Sequence, residues 1–306
     1  MVDGMPNTLG HLGIQGLLSR SIIRDADLKW IGLGCVIPDL PWILQRVSRV
    51  FLPDSQLLDL RLYASVQSSL VACLVLSGAL ALFSAAPRRV FQILSLNSFL
   101  HLILDSVQTK WGNGVHFFAP FSWQLVNFNM FWPESTVSVL LTVWGLLWIA
   151  HVSWRRPGKP VPLFFGRSRR VMAGTGLLLT YLIAPIGLLA GPERADNYSA
   201  RVLRERDHRP GRGVEFDRAL YLHGKDTDVV SIFTGEELVV EERRLHRSGI
   251  VSLRGRFLDE SGVEILEAHL HWRWFRDLAS YLGLILVALV WVGDLFRTGS
   301  PGRGRS

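Results

Sequence analysis

Long apolar runs, rather than isolated apolar positions, dominate the hydrophobic pattern of this chain. A helix needs roughly 20 predominantly apolar residues to cross a bilayer. Runs of about that length occupy residues 64–86, 135–154, 171–191 and 278–296, and two less pure runs occupy residues 30–51 and 90–107. The pattern therefore predicts a mainly α-helical, polytopic membrane protein with about six spans. A shorter run at 10–23 predicts an amphipathic or half-inserted helix.

A polar block separates the last two apolar runs. Residues 192–276 alternate apolar and polar positions between glycine-containing turns, as in "EELVVEE" and "GIVSLRGRFLDESG". Period-two alternation of this kind is typical of short antiparallel strands, and four or five such strands can close into a small barrel, for which an OB-like barrel is one candidate form. We therefore expect a helical membrane domain at 1–191, a soluble β-domain at 192–276, and a final span with a basic tail at 277–306.

Composition and charge add an orientation to this plan. The chain is 49% hydrophobic and carries a formal net charge of +7, with basic residues concentrated at 154–170, at 88–89 and in the tail after Phe296. Lys and Arg accumulate on cytoplasmic loops, so these segments mark the inside. The predicted location is a bacterial inner (plasma) membrane, with both termini cytoplasmic and the β-domain extracytoplasmic. The positive charge indicates topology and membrane lipid contact, and no nucleic-acid partner is expected.

Ionisable residues inside the apolar runs form the candidate chemistry. His101 and Asp105 lie four residues apart, which places them on one helix face. Asp39 lies between two prolines that should interrupt the helix, and His11 belongs to a glycine-flanked helix. Two imidazoles and two carboxylates are a plausible ligand set for zinc or another divalent metal ion.

A second interpretation of the same helix stays open at this point. Asn97, His101 and Asp105 follow one another at four-residue spacing and could form an interhelical hydrogen-bond ladder that joins spans. Such a ladder would need no metal.

Four segments, in this order along the chain, resemble a known family. They read "GHLGIQGLLSR", "GCVIPDLPWI", "HLILDSVQ" and "GNGVHFFAPFSW" and cover residues 10 to about 123. They resemble the bacterial membrane-bound metal-dependent hydrolases, a family related to zinc-dependent phospholipase C. The resemblance implies metal-ligand roles for His11, Asp39, His101 and Asp105, and catalytic roles for the two aspartates. It implies a metal-activated water that acts on an amphiphilic or phosphoester substrate near the external membrane face.

One family element is replaced in this chain. A His-Arg-Gly…Thr-His-Ser pattern is expected between the Pro-Asp and His-x-x-x-Asp segments, but the sequence reads "RLYASVQSSLV", with Arg61 and Gln67 or Ser68 at the histidine positions. Two imidazoles are therefore missing from the expected ligand set. The alternative function is a catalytically degenerate membrane scaffold that binds an envelope partner through its β-domain.

Other histidines allow two interpretations each. His116, in the aromatic loop at 108–134, is either a further ligand or an interfacial residue in an aromatic belt. His269 and His271 share one face of a predicted strand, where they form either a metal-binding pair or part of a solvated surface.

Overall fold

The protein is described by a computed structural model that covers residues 7–155, 158–166, 169–241, 245–272 and 274–298. The predicted basic tail at 299–306 and the basic positions 156 and 167 lie outside the described residues. The α-helices are α1 Thr8–Ile22, α2 Leu28–Val36, α3 Leu40–Ser48, α4 Leu57–Gln67, α5 Leu70–Leu82, α6 Pro87–Ser106, α7 Thr136–Arg155, α8 Arg169–Ile183, α9 Ala190–Arg194, α10 Ala200–Arg204 and α11 Trp274–Thr298. The strands are β1 Gly213–Leu222, β2 Asp228–Ser231, β3 Glu237–Val240, β4 Gly249–Phe257 and β5 Gly262–Leu270.

Helix starts follow local side-chain chemistry. The Asn7 side chain accepts a hydrogen bond from the Gly10 amide at 3.1 Å and caps α1. Asp27 caps α2 in the same way by accepting from Lys29 N–H. Each cap satisfies one of the amides that the first turn of a helix leaves without an intrahelical partner. Pro87 occupies the first turn of α6, where a missing N–H costs nothing.

Within the described ranges, two helical stretches, Arg169–Arg194 and Asp277–Asp294, are long and apolar enough to cross a membrane. A third results if Leu57–Gln67 and Leu70–Leu82, which meet at 68°, form one broken span. The six predicted spans are therefore not reproduced by helix length and composition. The run at 30–51 is divided by a 3-10 turn at Ile37–Asp39, where two prolines disturb the helical hydrogen bonds. The number of spans stays a prediction.

The connecting segments gather at two opposite ends of the helical body. At one end, which we call the basic pole, the loop 158–166 meets the turn 83–89 and residues 24–27. There, Lys159 N–H donates to Asp25 O at 3.0 Å and Ala85 N–H donates to Pro162 O at 2.9 Å. The Arg89 guanidinium also donates to Asp25 O at 3.0 Å. Three connections distant in sequence are therefore joined on one side.

The barrel and the loop 108–134 form the opposite end, which we call the barrel pole. Gly112 N–H donates to the Glu215 carboxylate at 2.7 Å, and the Asn113 amide donates to the Asp217 carboxylate at 3.1 Å. Helices α5 to α8 and α11 thus run between the two poles, because their ends connect to segments that belong to one pole or the other.

Helix α1 lies at the centre of the body and packs on α2, α6, α7 and α11. It runs parallel to α7: the Asn7 amide reaches Ser138, a Cβ at Gly13 would lie 1.8 Å from Gly145 Cα, and a Cβ at Gly16 would lie 2.2 Å from the Trp148 ring. The first residues of α1 therefore lie toward the barrel pole, and its last residues lie toward the basic pole. The expected amphipathic helix at 10–23 is instead largely buried, with nine buried residues in its first twelve.

The five strands close into a barrel in the order β1-β2-β3-β5-β4. The predicted small β-domain is confirmed as a barrel, and all five strands fall within 192–276. One detail differs from the antiparallel expectation, because β3 and β5 pair in parallel while the other neighbours are antiparallel. The barrel interior is apolar and is filled by Val214, Phe216, Val230, Leu238, Val251, Leu253, Phe257, Val263 and Ile265.

Candidate metal centre

Helices α1 and α6 bring three ionisable side chains together inside the helical body. His11, His101 and Asp105 can each offer one ligand atom such that all these atoms lie within 4.8 Å of one another. His11 Nε2 is 3.7 Å from Asp105 Oδ1, and His101 Nε2 is 3.6 Å from Asp105 Oδ2. The two imidazole rings lie 4.2 Å apart between centroids. The i, i+4 spacing on α6 supplies two of the three, and α1 supplies the third.

Asp39 joins this cluster from the 3-10 turn between α2 and α3. Its Oδ1 lies 3.3 Å from His101 Nε2, and the residue is 3% exposed. The two prolines around it interrupt the helix, so the carboxylate is presented by irregular backbone, as the sequence indicated. His11, His101 and Asp105 therefore meet in one place, and Asp39 adjoins them through its contact with His101.

Several potential metal-ligand atoms of the cluster are buried without conventional hydrogen bonds. Within the described residues, both ring nitrogens of His101 and Oδ2 of Asp39 have no hydrogen-bond partner. Buried polar atoms of this kind require an explanation, and an ion is one of the usual ones. Because the atoms are imidazole nitrogens and carboxylate oxygens, the set fits a divalent metal ion such as zinc.

Gln15 and Lys110 surround the cluster and shape its charge. The Gln15 amide lies 3.1 Å from His11 Nδ1. An amide can present either its oxygen or its nitrogen, and with the oxygen toward Nδ1–H the Nε2 lone pair of His11 faces the cluster. Lys110 Nζ lies 2.9 Å from Asp105 Oδ1 and partly compensates that buried carboxylate. A cavity of about 20 Å³, room for one water molecule, adjoins His11 and Gln108.

Asn97 has a different role from His101 and Asp105, which follow it at four-residue spacing on α6. Its Oδ1 accepts a hydrogen bond from Ser19 Oγ at 2.9 Å, and its amide donates to Ile93 O at 2.7 Å. Asn97 therefore joins α6 to α1, as the ladder interpretation predicts. His101 and Asp105 instead contact the side chains of the cluster.

The positions where the family has histidines are used for packing in this protein. The Arg61 guanidinium lies 4.2 Å from the Phe233 ring centroid and 4.8 Å from that of Tyr198. Gln67 donates to Tyr63 Oη at 3.1 Å and to the Tyr181 carbonyl at 3.3 Å. These side chains join α4 to its neighbours.

His116 fits neither of its two sequence interpretations. It is 2% exposed, and its Nε2 lies 2.9 Å from Ser65 Oγ, so it is a buried structural residue rather than part of an interfacial belt. Burial lowers the pKa of His116 to about 4, because the charged imidazolium would lose its hydration there.

A second group of potential ligands lies at the barrel pole. Glu134, His269 and His271 offer ligand atoms that all lie within 4.8 Å of one another. The interpretation of a solvated surface is wrong for His271, which is 5% exposed. Sequence reasoning singled out the histidine pair but missed Glu134, because only the docking of loop 108–134 on the barrel brings it near.

No protein-family model, curated protein or solved structure matches this chain. The resemblance to membrane-bound metal-dependent hydrolases therefore stays a prediction that depends on the four sequence segments.

Proposed function

We propose that this protein is a membrane-bound, metal-dependent hydrolase whose metal is held by His11, Asp39, His101 and Asp105. The observation that carries the proposal is the convergence of these four buried side chains from three separate elements. Part of the cluster stays unsatisfied: within the described residues, His101 Nδ1 and Asp39 Oδ2 have no hydrogen-bond partner, and His101 Nε2 has only its ion-pair contacts with Asp39 and Asp105.

The two poles support the finer topology of a polytopic protein with the barrel outside the cytoplasm. The basic pole contains Arg24, Arg88, Arg89 and Lys159, which is the charge pattern of a cytoplasmic surface. The barrel pole lies at the other end of the same helices. With this orientation Asp105, near the end of α6, lies toward the external face. The parallel packing of α1 and α7 would then put Asn7 on the external side, in contrast to the expected cytoplasmic N-terminus.

The chemistry of the centre suits hydrolysis of an anionic substrate. A bound divalent ion would polarise a phosphoryl or carbonyl oxygen and lower the pKa of a coordinated water. Asp105 has a 14% exposed side chain, against 5% for Asp39, so it is the more accessible carboxylate; as a ligand through one oxygen, it would offer its other oxygen as the base. Lys110, which contacts Asp105, would attract the negative charge of a phosphoester group. An external position would match an amphiphilic or lipid substrate.

Metal analysis of the purified full-length protein tests the proposal. We expect the Asp39→Ala, His101→Ala double variant to contain about one equivalent less zinc or manganese than the wild type. Asn97→Ala is the matched control, because it removes another buried polar side chain from α6 and should leave the metal content unchanged. Equal metal content in wild type and double variant would exclude the centre.

One observation favours the alternative function, a scaffold that binds an envelope partner. A cavity of about 410 Å³ lies between loop 108–134 and the barrel, and its lining includes Gly112, Asp196, Glu215 and Arg254. The five-stranded closed barrel is compatible with an OB-like fold, a class that often binds extended ligands. Site-specific photo-crosslinking from Leu125, which lines this cavity, would test for a protein or polysaccharide partner in intact membranes. Exposed Ser261, in the β4–β5 turn and outside the lining of this cavity, supplies the control position.

A further inference from the structure

The cluster at the barrel pole joins two parts of the chain that are far apart in sequence. Glu134 belongs to the loop before α7, His269 belongs to β5, and His271 follows β5. Glu134 Oε1 lies 2.7 Å from His271 Nδ1, and Glu134 Oε2 lies 3.8 Å from His269 Nε2. The ligands of one zinc ion, bound at about 2.0–2.2 Å each, have comparable mutual separations.

The proton arrangement around His271 points to a cation in this cluster. Ser252 Oγ lies 2.8 Å from Asp217 Oδ1 and 2.8 Å from His271 Nε2. An ionised carboxylate only accepts hydrogen bonds, so the single hydroxyl proton of Ser252 is directed to Asp217. His271 Nε2 must then be the donor to Ser252.

The other ring nitrogen of His271 is left with a lone pair if the ring is neutral. That nitrogen faces a Glu134 oxygen, which also carries only lone pairs, at 2.7 Å. A proton, carried by the imidazole ring or by the Glu134 carboxyl group, or a metal ion must therefore lie between them. A neutral ring leaves that lone pair available to a metal ion, and the neutral imidazole is the form of histidine that binds metals.

The residues around this cluster orient its potential metal-ligand atoms. The Trp132 ring stacks on His269, with 3.7 Å between centroids and 4° between planes. Arg218 Nη1 contacts Glu134 Oε1 at 3.1 Å, and the hydrogen bond to Ser252 orients the His271 ring. Hydrogen bonds that hold the ligand ring in one orientation are typical of metal-binding histidines. The His269 side chain is 30% exposed, so an ion can reach the cluster from solvent.

We propose that Glu134, His269 and His271 bind a second divalent metal ion, of the zinc class, which fastens the barrel to the loop before α7. Three protein ligands with an accessible fourth position are a common arrangement for zinc. The site is separate from the centre of the proposed hydrolase, because its ligands come from the barrel and the loop 108–134.

Cobalt binding by full-length protein in detergent tests this second site. In the Asp39→Ala, His101→Ala background, we expect one equivalent of Co²⁺ with the visible absorption of a four-coordinate site, displaced by zinc. Adding His269→Ala should abolish this absorption, and so should Glu134→Gln, which keeps the side-chain shape. His246→Ala is the matched control, because His246 is an exposed histidine of the barrel domain.

Cobalt bound equally with and without His269→Ala would overturn the proposal, and so would the absence of cobalt binding from a folded background variant. If that background variant does not fold, His269→Ala in the wild-type chain should lower the cobalt stoichiometry by one, and an unchanged value would again overturn the proposal. Failure of the first centre is a distinct result, because the Asp39→Ala, His101→Ala change would then remove no metal from the wild type.

Discussion

Gly13 and Gly145 are the residues at which α1 and α7 approach each other most closely. A Cβ at Gly13 would lie 1.8 Å from Gly145 Cα, which is far inside van der Waals contact. The absent side chains let two backbones pack directly, as is common between helices in membranes. His11, two residues before Gly13, is held at the candidate centre by this packing.

Gly13→Ala should therefore destabilise the protein, by about 1–3 kcal/mol or more, because the new methyl group must push α1 away from α7. Thermal unfolding in detergent would measure the effect. Gly176→Ala on α8 is the control, since nothing lies within 4 Å of its Cβ position. That change should be neutral or stabilise by about 0.5–1 kcal/mol. Equal unfolding temperatures for the two variants would contradict the packing argument.

His116 makes stability depend on pH. Burial lowers its pKa to about 4 in the folded protein, against an ordinary value of 6.5, so protonation favours the unfolded chain. Stability should be complete above pH 6.5 and should fall as pH decreases toward 4, by roughly 3 kcal/mol in total. Unfolding at pH 4.5, 5.5 and 7.5 should show a weaker acid dependence for His116→Asn than for wild type. A variant with the wild-type acid dependence would show that another group is responsible.

Single-residue predictions succeeded where local chemistry decides the outcome. The spacing of His101 and Asp105 within one helix is enough to place both on one face, and the prolines around Asp39 interrupt their own helix. His11 and Asp39 were singled out as ionisable residues within apolar segments rather than by spacing, and the resemblance then implied ligand roles for them. Glu134 was beyond reach from the sequence, because its approach to His271 depends on how the loop docks on the barrel.

At the scale of elements, α4 connects the helical body to the barrel through Arg61. This side chain is 5% exposed and lies within 6 Å of three aromatic rings, those of Trp42, Tyr198 and Phe233. A buried guanidinium on aromatic faces contributes both packing and cation–π energy.

We expect Arg61→Ala to lower the free energy of unfolding by roughly 2–3 kcal/mol, because it removes several ring contacts at once. Arg204→Ala is the matched control: this arginine forms ion pairs with Asp59 and Glu193, but its side chain is 44% exposed. Exposed pairs contribute about 0–1 kcal/mol. Chemical denaturation of both variants would measure the difference, and similar losses would argue against the aromatic contacts as the main connection.

Strands were predictable one by one, because each shows its own period-two alternation. The parallel pairing of β3 with β5 was not, since it is fixed only when the barrel closes. Breaks within helices were harder to predict from the sequence. The apolar run at 64–86 shows no sign of the 68° bend at Ser68–Ser69, where α4 ends and the Ser69 hydroxyl caps α5.

At the scale of the whole molecule, the two poles separate the basic loops from the barrel. Within the described residues, helix length and composition identify two spans, or three with the bent pair, and the part Thr136–Val152 of α7 is apolar but shorter than a full span. Their number in a membrane is therefore an experimental question.

Labelling of single cysteines with a membrane-impermeant maleimide would answer it. The native Cys35 and Cys73 are buried and should not react in the folded protein. With the proposed topology, exposed cysteines at Gln124→Cys and Ser261→Cys should react in intact cells, and Lys159→Cys should react only after permeabilisation. If only Arg169–Arg194 and Asp277–Asp294 cross the membrane, Gln124→Cys and Lys159→Cys would behave alike, opposite to Ser261→Cys.

The central position of α1 has a consequence for the order in which the protein is made. Translation delivers α1 well before α11, yet a Cβ at Gly283 of α11 would lie 2.8 Å from Leu9 N, so these two helices, distant in sequence, pack directly on each other. A nascent chain that ends before α11 contains all four residues of the candidate centre but leaves one side of α1 uncovered. The centre is therefore completed only after α11 has been made and covers α1.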